Sequence, residues 1–401
     1  MRRSVMVHDR WQNVPDPVAA ARRAFVRLGR RPPEGVAFAP GRVNLVGEHT
    51  DYNDGFVLPM AIREGVAAAF ASRSDGVLRV HASDIGDTRE VSLAGLGRGK
   101  GSIGGWFRYA AGMAWAMLAA DVTVRGADVV LAANLPSGAG LSSSAAVELV
   151  IARALTAVAG LAWDPRAASL MAQRAEHEFA GVACGIMDQM VVACAADGHA
   201  LLIDCRSLDI REVALPADVR VVVMNTGIRR SLATSAYNDR RAACERAVAG
   251  VQPFAPSVRA LRDVDRALLE RARTSMDDVA FRRASHVVAE NLRPVLFARA
   301  IEAGDLATAG RVMNDSHQSL RELYEVSCRE LDALVALSTA QPECYGARLT
   351  GAGFGGCAIA MVKADRVEPF AAMVQQGYRA ETGRHADVIV SRPSAGTRLV
   401  E

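Results

Sequence analysis

The most restrictive feature of the sequence is the stretch LPSGAGLSSSAAVELV, from Leu135 to Val150. It follows a predicted strand, and the apolar pattern from Ser143 to about Gly160 predicts a helix. Three consecutive serines make poor core material but are well placed to cap a helix. Glycines before a helix also let backbone N–H groups approach an anion that the helix dipole favours. The stretch therefore predicts a phosphate-binding loop or an elaborate helix cap; it lacks the G-x-x-x-x-G-K-S/T pattern of a Walker loop.

A second stretch, residues 39–59, follows another predicted strand and reads APGRVNLVGEHTDYNDGFVLP. Its polar side chains include Arg42, Asn44, Glu48, His49, Asp51, Tyr52 and Asp54. Burying polar groups at this density costs free energy unless they face a ligand or water. Carboxylates and an imidazole can hydrogen bond to the hydroxyls of a sugar or polyol. A metal site and a solvated loop are the alternatives, although the H-E-x-x-H spacing of a zinc site is absent.

Two shorter stretches are less specific. In GVACGIMDQM, residues 181–190, Asp188 lies in an apolar neighbourhood near a predicted helix start, where a carboxylate is either a helix cap or a functional group. In ARLTGAGFGGCAIAMV, residues 347–362, four glycines precede a predicted strand. Glycine at that density indicates close backbone approach to another segment or to a ligand.

Composition excludes several classes of partner. The formal charge is only +3, and the arginine pairs are scattered along the chain, so we predict no nucleic-acid binding. The longest uncharged apolar run, residues 109–120, is shorter than the ~20 residues of a membrane span. The seven cysteines are odd in number and form no C-x-x-C pair, which favours reduced thiols. The amino terminus shows no secretory h-region, so we expect a cytoplasmic protein.

The pattern of predicted elements changes along the chain. The first half mixes strands and helices, whereas residues 235–340 are almost entirely helical and are followed by two late strands. We therefore predict two domains, at residues 18–216 and 217–395. The second is expected to consist of helices packed on a small sheet.

In their order along the chain, the four stretches resemble the galactokinases, members of the family shared with homoserine, mevalonate and phosphomevalonate kinases. GRVNLVGEHTDYNDG resembles the galactokinase signature, LPSGAGLSSSAA the family's phosphate-binding motif, and LTGAGFGGC its carboxy-terminal glycine motif. The resemblance extends to CGIMDQ, to RRASHVVAENLRPV at 282–295 and to NDSHQSLRELYEVSCRELD at 314–332. It covers about residues 36–390.

The resemblance implies roles for individual residues. Asp188 is similar to the carboxylate that takes the proton from the sugar's C1 hydroxyl, and Arg42 to a partner that steadies the phosphoryl group and holds Asp188 ionised. The implied sugar contacts are Glu48, His49, Asp51, Gly185, Asp188 and Tyr237. The implied phosphate cradle is Gly138, Ala139, Gly140, Leu141, Ser142, Ser143 and Ser144. Ser144 and Glu176 resemble magnesium ligands, and Trp106 resembles an adenine-stacking residue.

The resemblance also implies a two-domain α+β fold, the GHMP-kinase fold, with the active site in the cleft between the domains. It places a mixed sheet with helices in the first domain and helices on an antiparallel sheet in the second. The implied reaction is phosphorylation of D-galactose at C1 by ATP with Mg²⁺. The alternatives are a kinase for N-acetylgalactosamine, arabinose or galacturonate, and a non-catalytic galactose sensor, against which the intact serine motif argues. We expect small-molecule substrates, no membrane contact, and a monomer or weak homo-oligomer.

Overall fold

The structure is a computed structural model that describes residues 16–29, 31–97, 103–136, 138–228 and 233–400. The strands are β1 (Gly35–Asn44), β2 (Phe56–Val57), β3 (Pro59–Ser72), β4 (Val77–Ala82), β5 (Asp87–Ser92), β6 (Ala127–Ala133), β7 (His199–Asp204), β8 (Ile210–Ala214), β9 (Val219–Asn225), β10 (Cys344–Thr350), β11 (Cys357–Lys363), β12 (Asp387–Ser391) and β13 (Arg398–Leu399). The α-helices are α1 (Pro17–Arg27), α2 (Phe107–Leu118), α3 (Ser143–Ala159), α4 (Pro165–Arg174), α5 (Met187–Cys194), α6 (Ala233–Val251), α7 (Arg266–Arg271), α8 (Asp278–Glu290), α9 (Arg293–Glu302), α10 (Leu306–Ser319), α11 (Arg329–Thr339) and α12 (Val367–Thr382).

The first domain is built on a six-stranded sheet of order β13-β1-β3-β6-β4-β5, in which only the β4–β6 pair is parallel. Strand β1 is buried along its whole length. Because side chains alternate across a strand, Ala37 and Ala39 pack with α2 and α3 on one face, whereas Val36 and Phe38 pack with α1 on the other. A smaller antiparallel sheet of order β2-β7-β8 completes this half.

The second domain is an antiparallel sheet of order β10-β11-β9-β12 with helices on both faces. Alternate residues of β9 divide between two cores: Val222 and Met224 pack with α11 and α12, whereas Val221 and Val223 join a separate apolar cluster. That cluster also contains Val43 and neighbouring residues of the first domain, so apolar packing joins the two domains.

The fold class predicted from the resemblance is confirmed, and most predicted elements lie where the pattern placed them. Helix α3 begins at Ser143, and Gly160 ends it in the left-handed conformation that glycine adopts without strain. The apolar pattern over 165–181 predicts one helix, whereas the structure has α4 followed by a π-helical segment, Ala175–Ala180. Strands β1 to β8 belong to the two sheets of the first domain, and β9 to β12 form the sheet of the second domain. Strand β13 then pairs with β1 of the first domain. The domain limits stay predictions.

No helix in the described part of the chain is both long and apolar enough to cross a membrane. None of the seven cysteines, all of which lie in the described part of the chain, forms a disulfide.

Helix α10 crosses β10 where two glycines face each other, which generates a stability prediction. A Cβ on Gly310 would overlap the carbonyl oxygen of Tyr345, and a Cβ on Gly346 would overlap the backbone of Gly310. We expect Gly310→Ala to lower the free energy of unfolding by about 1–3 kcal/mol or more, since the helix must move away from the sheet. Urea unfolding measures this loss. Gly104→Ala, where a Cβ meets open space, is the control; equal effects would contradict the close approach.

Candidate active site

A cleft of about 580 Å³ lies between the two domains. The residues that line it are Arg42, Glu48, His49, Asp51, Tyr109, Gly138, Gly140, Ser142, Ser143, Ser144, Glu176, Val182, Cys184, Gly185, Met187, Asp188, Tyr237, Asn238, Gly351 and Ala352. The first domain supplies most of them, and α6 and the glycine-rich turn after β10 supply the rest. Most of the sequence-predicted site residues therefore meet in one cleft.

The Asp188 carboxylate accepts three side-chain hydrogen bonds in the cleft. Arg42 Nε donates to Oδ1 at 2.7 Å and Arg42 Nη2 to Oδ2 at 2.8 Å, a bidentate ion pair. The Ser142 hydroxyl donates to Oδ2 at 2.5 Å, and Arg42 Nη1 donates to the Gly140 carbonyl at 2.6 Å. Asp188 lies in the first turn of α5, whose start has no side-chain cap. The carboxylate is thus held by the neighbouring strand and loop, and its contacts do not support the helix-cap interpretation.

The glycine and serine loop before α3 borders the cleft beside this ion pair. Gly138, Gly140 and Ser142 all have φ between 59° and 77°, and this left-handed backbone bends the chain into the start of the helix. The side chains of Ala139 and Leu141 are buried in the cluster between the domains, so these two residues can face a ligand only through their backbone. The loop therefore presents backbone and serine hydroxyls at the amino end of a 17-residue helix, where the dipole favours an anion.

Glu48 is almost completely buried at the far side of the cleft, and its side chain already has partners in the second domain. Arg348 Nη2 donates to Oε2 at 2.7 Å, and the backbone N–H of Gly351 donates to Oε1 at 2.8 Å. Burial raises the pKa of Glu48, although Arg348 and Arg42 act in the opposite direction. Arg348 itself is fully buried on β10. Glu48 therefore joins the two domains as well as lining the cleft.

His49 adopts a left-handed backbone conformation, with φ of 64°, and its ring lies among aromatic residues. Nδ1 lies 2.9 Å from the Tyr52 hydroxyl, which lies 2.6 Å from the hydroxyl of Tyr324. Burial is the main cause that lowers the pKa of His49, so the ring is neutral at pH 7. Its buried Nε2 has no hydrogen-bond partner among the described residues. An unpaired buried nitrogen on a cleft wall is suited to a ligand hydroxyl.

Asp51 and Gly185 are in close contact across the cleft. A Cβ on Gly185 would overlap the Asp51 carboxylate, so this position admits only glycine unless the loop moves. Burial and the neighbouring Asp188 charge raise the pKa of Asp51 to about 7. Tyr237, on α6, closes this side of the cleft, with its ring centroid 5.7 Å from that of His49.

Two more acidic side chains lie close to Asp188. The Ser144 hydroxyl bonds to Glu176, which the π-helical segment places on the cleft wall, and burial and Asp188 raise the pKa of Glu176 to about 7. Glu148, one turn along α3 from Ser144, is fully buried, and neither carboxyl oxygen has a partner among the described residues. Burial and then Glu176 raise its pKa well above the usual value. Arg108 acts on Glu176 in the opposite direction, and hard oxygen donors of this kind suit a divalent metal such as Mg²⁺.

Trp106, like the buried Ala139 and Leu141, is a predicted site residue that does not line the cleft. Its indole Nε1 donates to Asp87 on β5 at 2.9 Å, and its ring packs edge-on against Phe107. Its role in adenine stacking stays a prediction. Sequence reasoning assigned no role to Arg348, although the residue lies in the quoted glycine-motif stretch; an arginine in a strand gives no local signal that it is buried and paired.

Two domains of this architecture, with a glycine- and serine-rich loop at the start of a helix between them, are typical of the small-molecule kinases of the GHMP class, and the family models agree. The model "GHMP kinases N terminal domain" matches residues 108–196, and "GHMP kinases C terminal" matches residues 297–380. A mevalonate kinase structure, 16% identical, superposes with a TM-score of 0.61 and so shares the fold.

More specific matches narrow the family. The model "Galactokinase galactose-binding signature" matches residues 24–72. The galactokinase of Roseiflexus sp. (strain RS-1) is 46% identical over 92% of this chain and 93% of its own length. That of Chloroflexus aurantiacus is 44% identical over 94% of this chain and 96% of its own. The structure of Lactococcus lactis galactokinase complexed with galactose is 32% identical, with a TM-score of 0.90 over 95% of this chain and 99% of its own. The chain belongs to the galactokinase family, as the sequence motifs predict.

The pKa of Asp51 generates a prediction for stability against pH. A folded pKa of about 7, against 3.8 for an ordinary aspartate, means that the folded state binds the proton more tightly than the unfolded state. Stability from this group is therefore lost as pH rises from about 4 to 7, and is constant above that. We expect Asp51→Asn to be nearly as stable as the wild type near pH 4.5 and clearly more stable at pH 8.

Thermal melting at both pH values measures the difference. Asp54→Asn is the matched control, because this neighbouring side chain is 47% exposed. A gain for Asp51→Asn that is equal at pH 4.5 and pH 8 would contradict the raised pKa.

Proposed function

We propose that the chain transfers the γ-phosphoryl group of ATP to the C1 hydroxyl of D-galactose, giving α-D-galactose 1-phosphate and ADP. The observation that carries the proposal is the Asp188 carboxylate, held by Arg42 and Ser142 and facing a cleft between a hydroxyl-binding wall and an anion-binding loop. Membership of the galactokinase family supports galactose as the acceptor, and the kinase fold supports ATP as the donor.

The hydroxyl-binding wall supplies the groups that a hexose requires. Asp51 and Glu48 offer carboxylate oxygens, the unpaired Nε2 of neutral His49 offers a donor or an acceptor, and Tyr237 offers a phenol. Gly185 leaves room beside Asp51 that no other residue would leave. Several fixed hydrogen-bonding groups on one wall discriminate strongly between sugars, because a wrongly placed hydroxyl leaves a buried group unpaired.

The hydrogen bonds of Asp188 identify the atom that would accept the proton. Oδ2 accepts from both Arg42 and Ser142, so its two lone pairs are occupied, whereas Oδ1 accepts only from Arg42 Nε. The free lone pair of Oδ1 is therefore the site for the proton of the C1 hydroxyl. The side chain is 30% exposed, so that the substrate can reach it from the cleft. The sugar oxygen, once deprotonated, attacks the phosphorus, and the bond to the ADP oxygen breaks.

Arg42 performs a second task beside the base. Its guanidinium lies between Asp188 and the Gly140 carbonyl, so it is fixed where the sugar wall meets the phosphate loop. A fixed cation at that point stabilises negative charge on the transferring group without reorganisation. The loop from Gly138 to Ser144 holds the remaining phosphate oxygens through backbone N–H groups and serine hydroxyls.

The residues that would hold Mg²⁺ are Ser144 and Glu176. They are already hydrogen bonded to each other, and the buried Glu148, whose carboxyl oxygens have no hydrogen-bond partner among the described residues, lies beside Glu176. Bound Mg²⁺ neutralises charge on the phosphate oxygens of ATP. Arg42, Asp188 and the loop supply the remaining positioning.

The first test of the function is ADP release from MgATP with a panel of sugars. We expect rapid release with D-galactose, and phosphorus NMR should locate the product phosphate on C1. Methyl α-D-galactoside is the matched control, because its C1 oxygen is blocked and should give only background release. Faster turnover of N-acetylgalactosamine, arabinose or galacturonate would reassign the substrate, and galactose binding without turnover would indicate a sensor.

The second test addresses the base. Asp188→Asn keeps the size and most hydrogen bonds of the side chain but removes its basicity. We expect kcat to fall by about 10²–10⁴, the contribution typical of general base catalysis. Galactose and ATP should still bind in calorimetric titrations, although the melting temperature should fall, because the nearly buried Arg42 loses its counter-charge. Near-normal turnover would mean that positioning and Arg42 alone drive the transfer.

A further inference from the structure

We propose that Glu290, on α8 of the second domain, is a positioning residue for sugar recognition, because it fixes the backbone of the sugar-binding loop in the first domain. The sugar-binding loop is residues 47–56, which contain Glu48, His49 and Asp51. The proposal rests on the proposed function for the identity of the sugar. Glu290 does not line the cleft, so it acts only through the loop.

The Glu290 carboxylate is fully buried, and each of its oxygens accepts hydrogen bonds. Oε1 accepts hydrogen bonds from the backbone N–H groups of Gly47 at 2.8 Å and Glu48 at 3.1 Å, and from the Ser316 hydroxyl at 2.7 Å. Oε2 accepts from Arg293 at 2.6 Å. A buried carboxylate that receives two successive backbone N–H groups fixes the direction in which that backbone runs.

The same end of α8 holds the loop at two more points. His286 Nε2 lies 3.2 Å from the Glu48 carbonyl, and Asn291 Oδ1 accepts from the Phe56 backbone N–H at 2.9 Å. His286 and Glu290 are four residues apart and so share one face of the helix. Side chains from this helix end therefore fix both the start and the finish of the sugar-binding loop.

The charge on Glu290 makes the attachment strong. Burial opposes the charge, but His286, Arg293 and Arg348 and the Ser316 hydroxyl together lower the pKa of Glu290 to about 2. The loop backbone therefore meets an ionised acceptor throughout the neutral range. Because the carboxylate belongs to the second domain, the geometry of the sugar-binding loop depends on the position of that domain relative to the first. The stretch RRASHVVAENLRPV, which had no assigned role in the sequence, thereby gains one.

Two variants of Glu290 and one control separate positioning from general stability. Glu290→Ala removes every acceptor, whereas Glu290→Gln keeps one oxygen for the loop and should rescue part of the effect. Val287→Ala is the control, since Val287 lies on the same helix but packs only in the core of the second domain. We expect Glu290→Ala to raise the galactose KM and Kd at least about tenfold, with a smaller rise for Glu290→Gln. The KM for MgATP should change less than about twofold, a split that mere destabilisation does not produce.

A measurement on the sugar-free protein tests whether Glu290 fixes the backbone of the sugar-binding loop. Amide hydrogen exchange of the peptide that contains Gly47 and Glu48 should accelerate in Glu290→Ala, and should not in Val287→Ala. Unchanged exchange overturns the proposal, as does faster exchange with unchanged galactose binding. If the wild type fails to bind galactose, the proposed function fails. The role of Glu290 is then decided by the exchange measurement and by the binding of whichever sugar the panel identifies as the substrate.

Discussion

The bidentate ion pair between Arg42 and Asp188 is the interaction on which the arrangement of the cleft depends. It joins β1 to the start of α5, and through the Gly140 carbonyl and the Ser142 hydroxyl it also fixes the loop that begins α3. Three segments far apart in sequence therefore share one charged junction. Because the Arg42 side chain is only 6% exposed, removing Asp188 would leave a poorly solvated charge. The same contacts that make the junction costly to break fix the positions of these side chains in the cleft.

A second set of buried charged groups connects the sugar-binding loop to the second domain. The Glu48 side chain pairs with Arg348, and the backbone N–H groups of Gly47 and Glu48 donate to Glu290, so two carboxylates and one arginine are buried together at the loop. Such pairs contribute little net stability after desolvation, but an incorrect arrangement leaves a charge unpaired and is strongly disfavoured. Their effect is to select one loop conformation, which a hydroxyl-binding wall requires.

The sequence predicted what local patterns and contiguous motifs encode. Helix α3 begins at Ser143 as predicted, because the glycines, serines and apolar periodicity all occur within one stretch. The roles of Arg348 and Glu290 were not predicted, since their partners lie 300 and 243 residues away and no local pattern marks the pairing. The π-helical segment that carries Glu176 was also missed, because the apolar spacing there is that of an ordinary helix.

The return of the chain to the first domain has a consequence for biosynthesis. Strand β13 pairs with β1, and Gly396 and Thr397 bond to the backbone at the end of α5, so residues beyond the second domain complete the first. During translation the amino-terminal domain emerges from the ribosome with one sheet edge uncovered, and that edge stays open until residue 399 has been made. An open edge is a template for unwanted strand pairing. The nascent chain therefore has a long interval in which chaperone binding would protect this edge. The first domain is synthesised first, but its sheet is completed last.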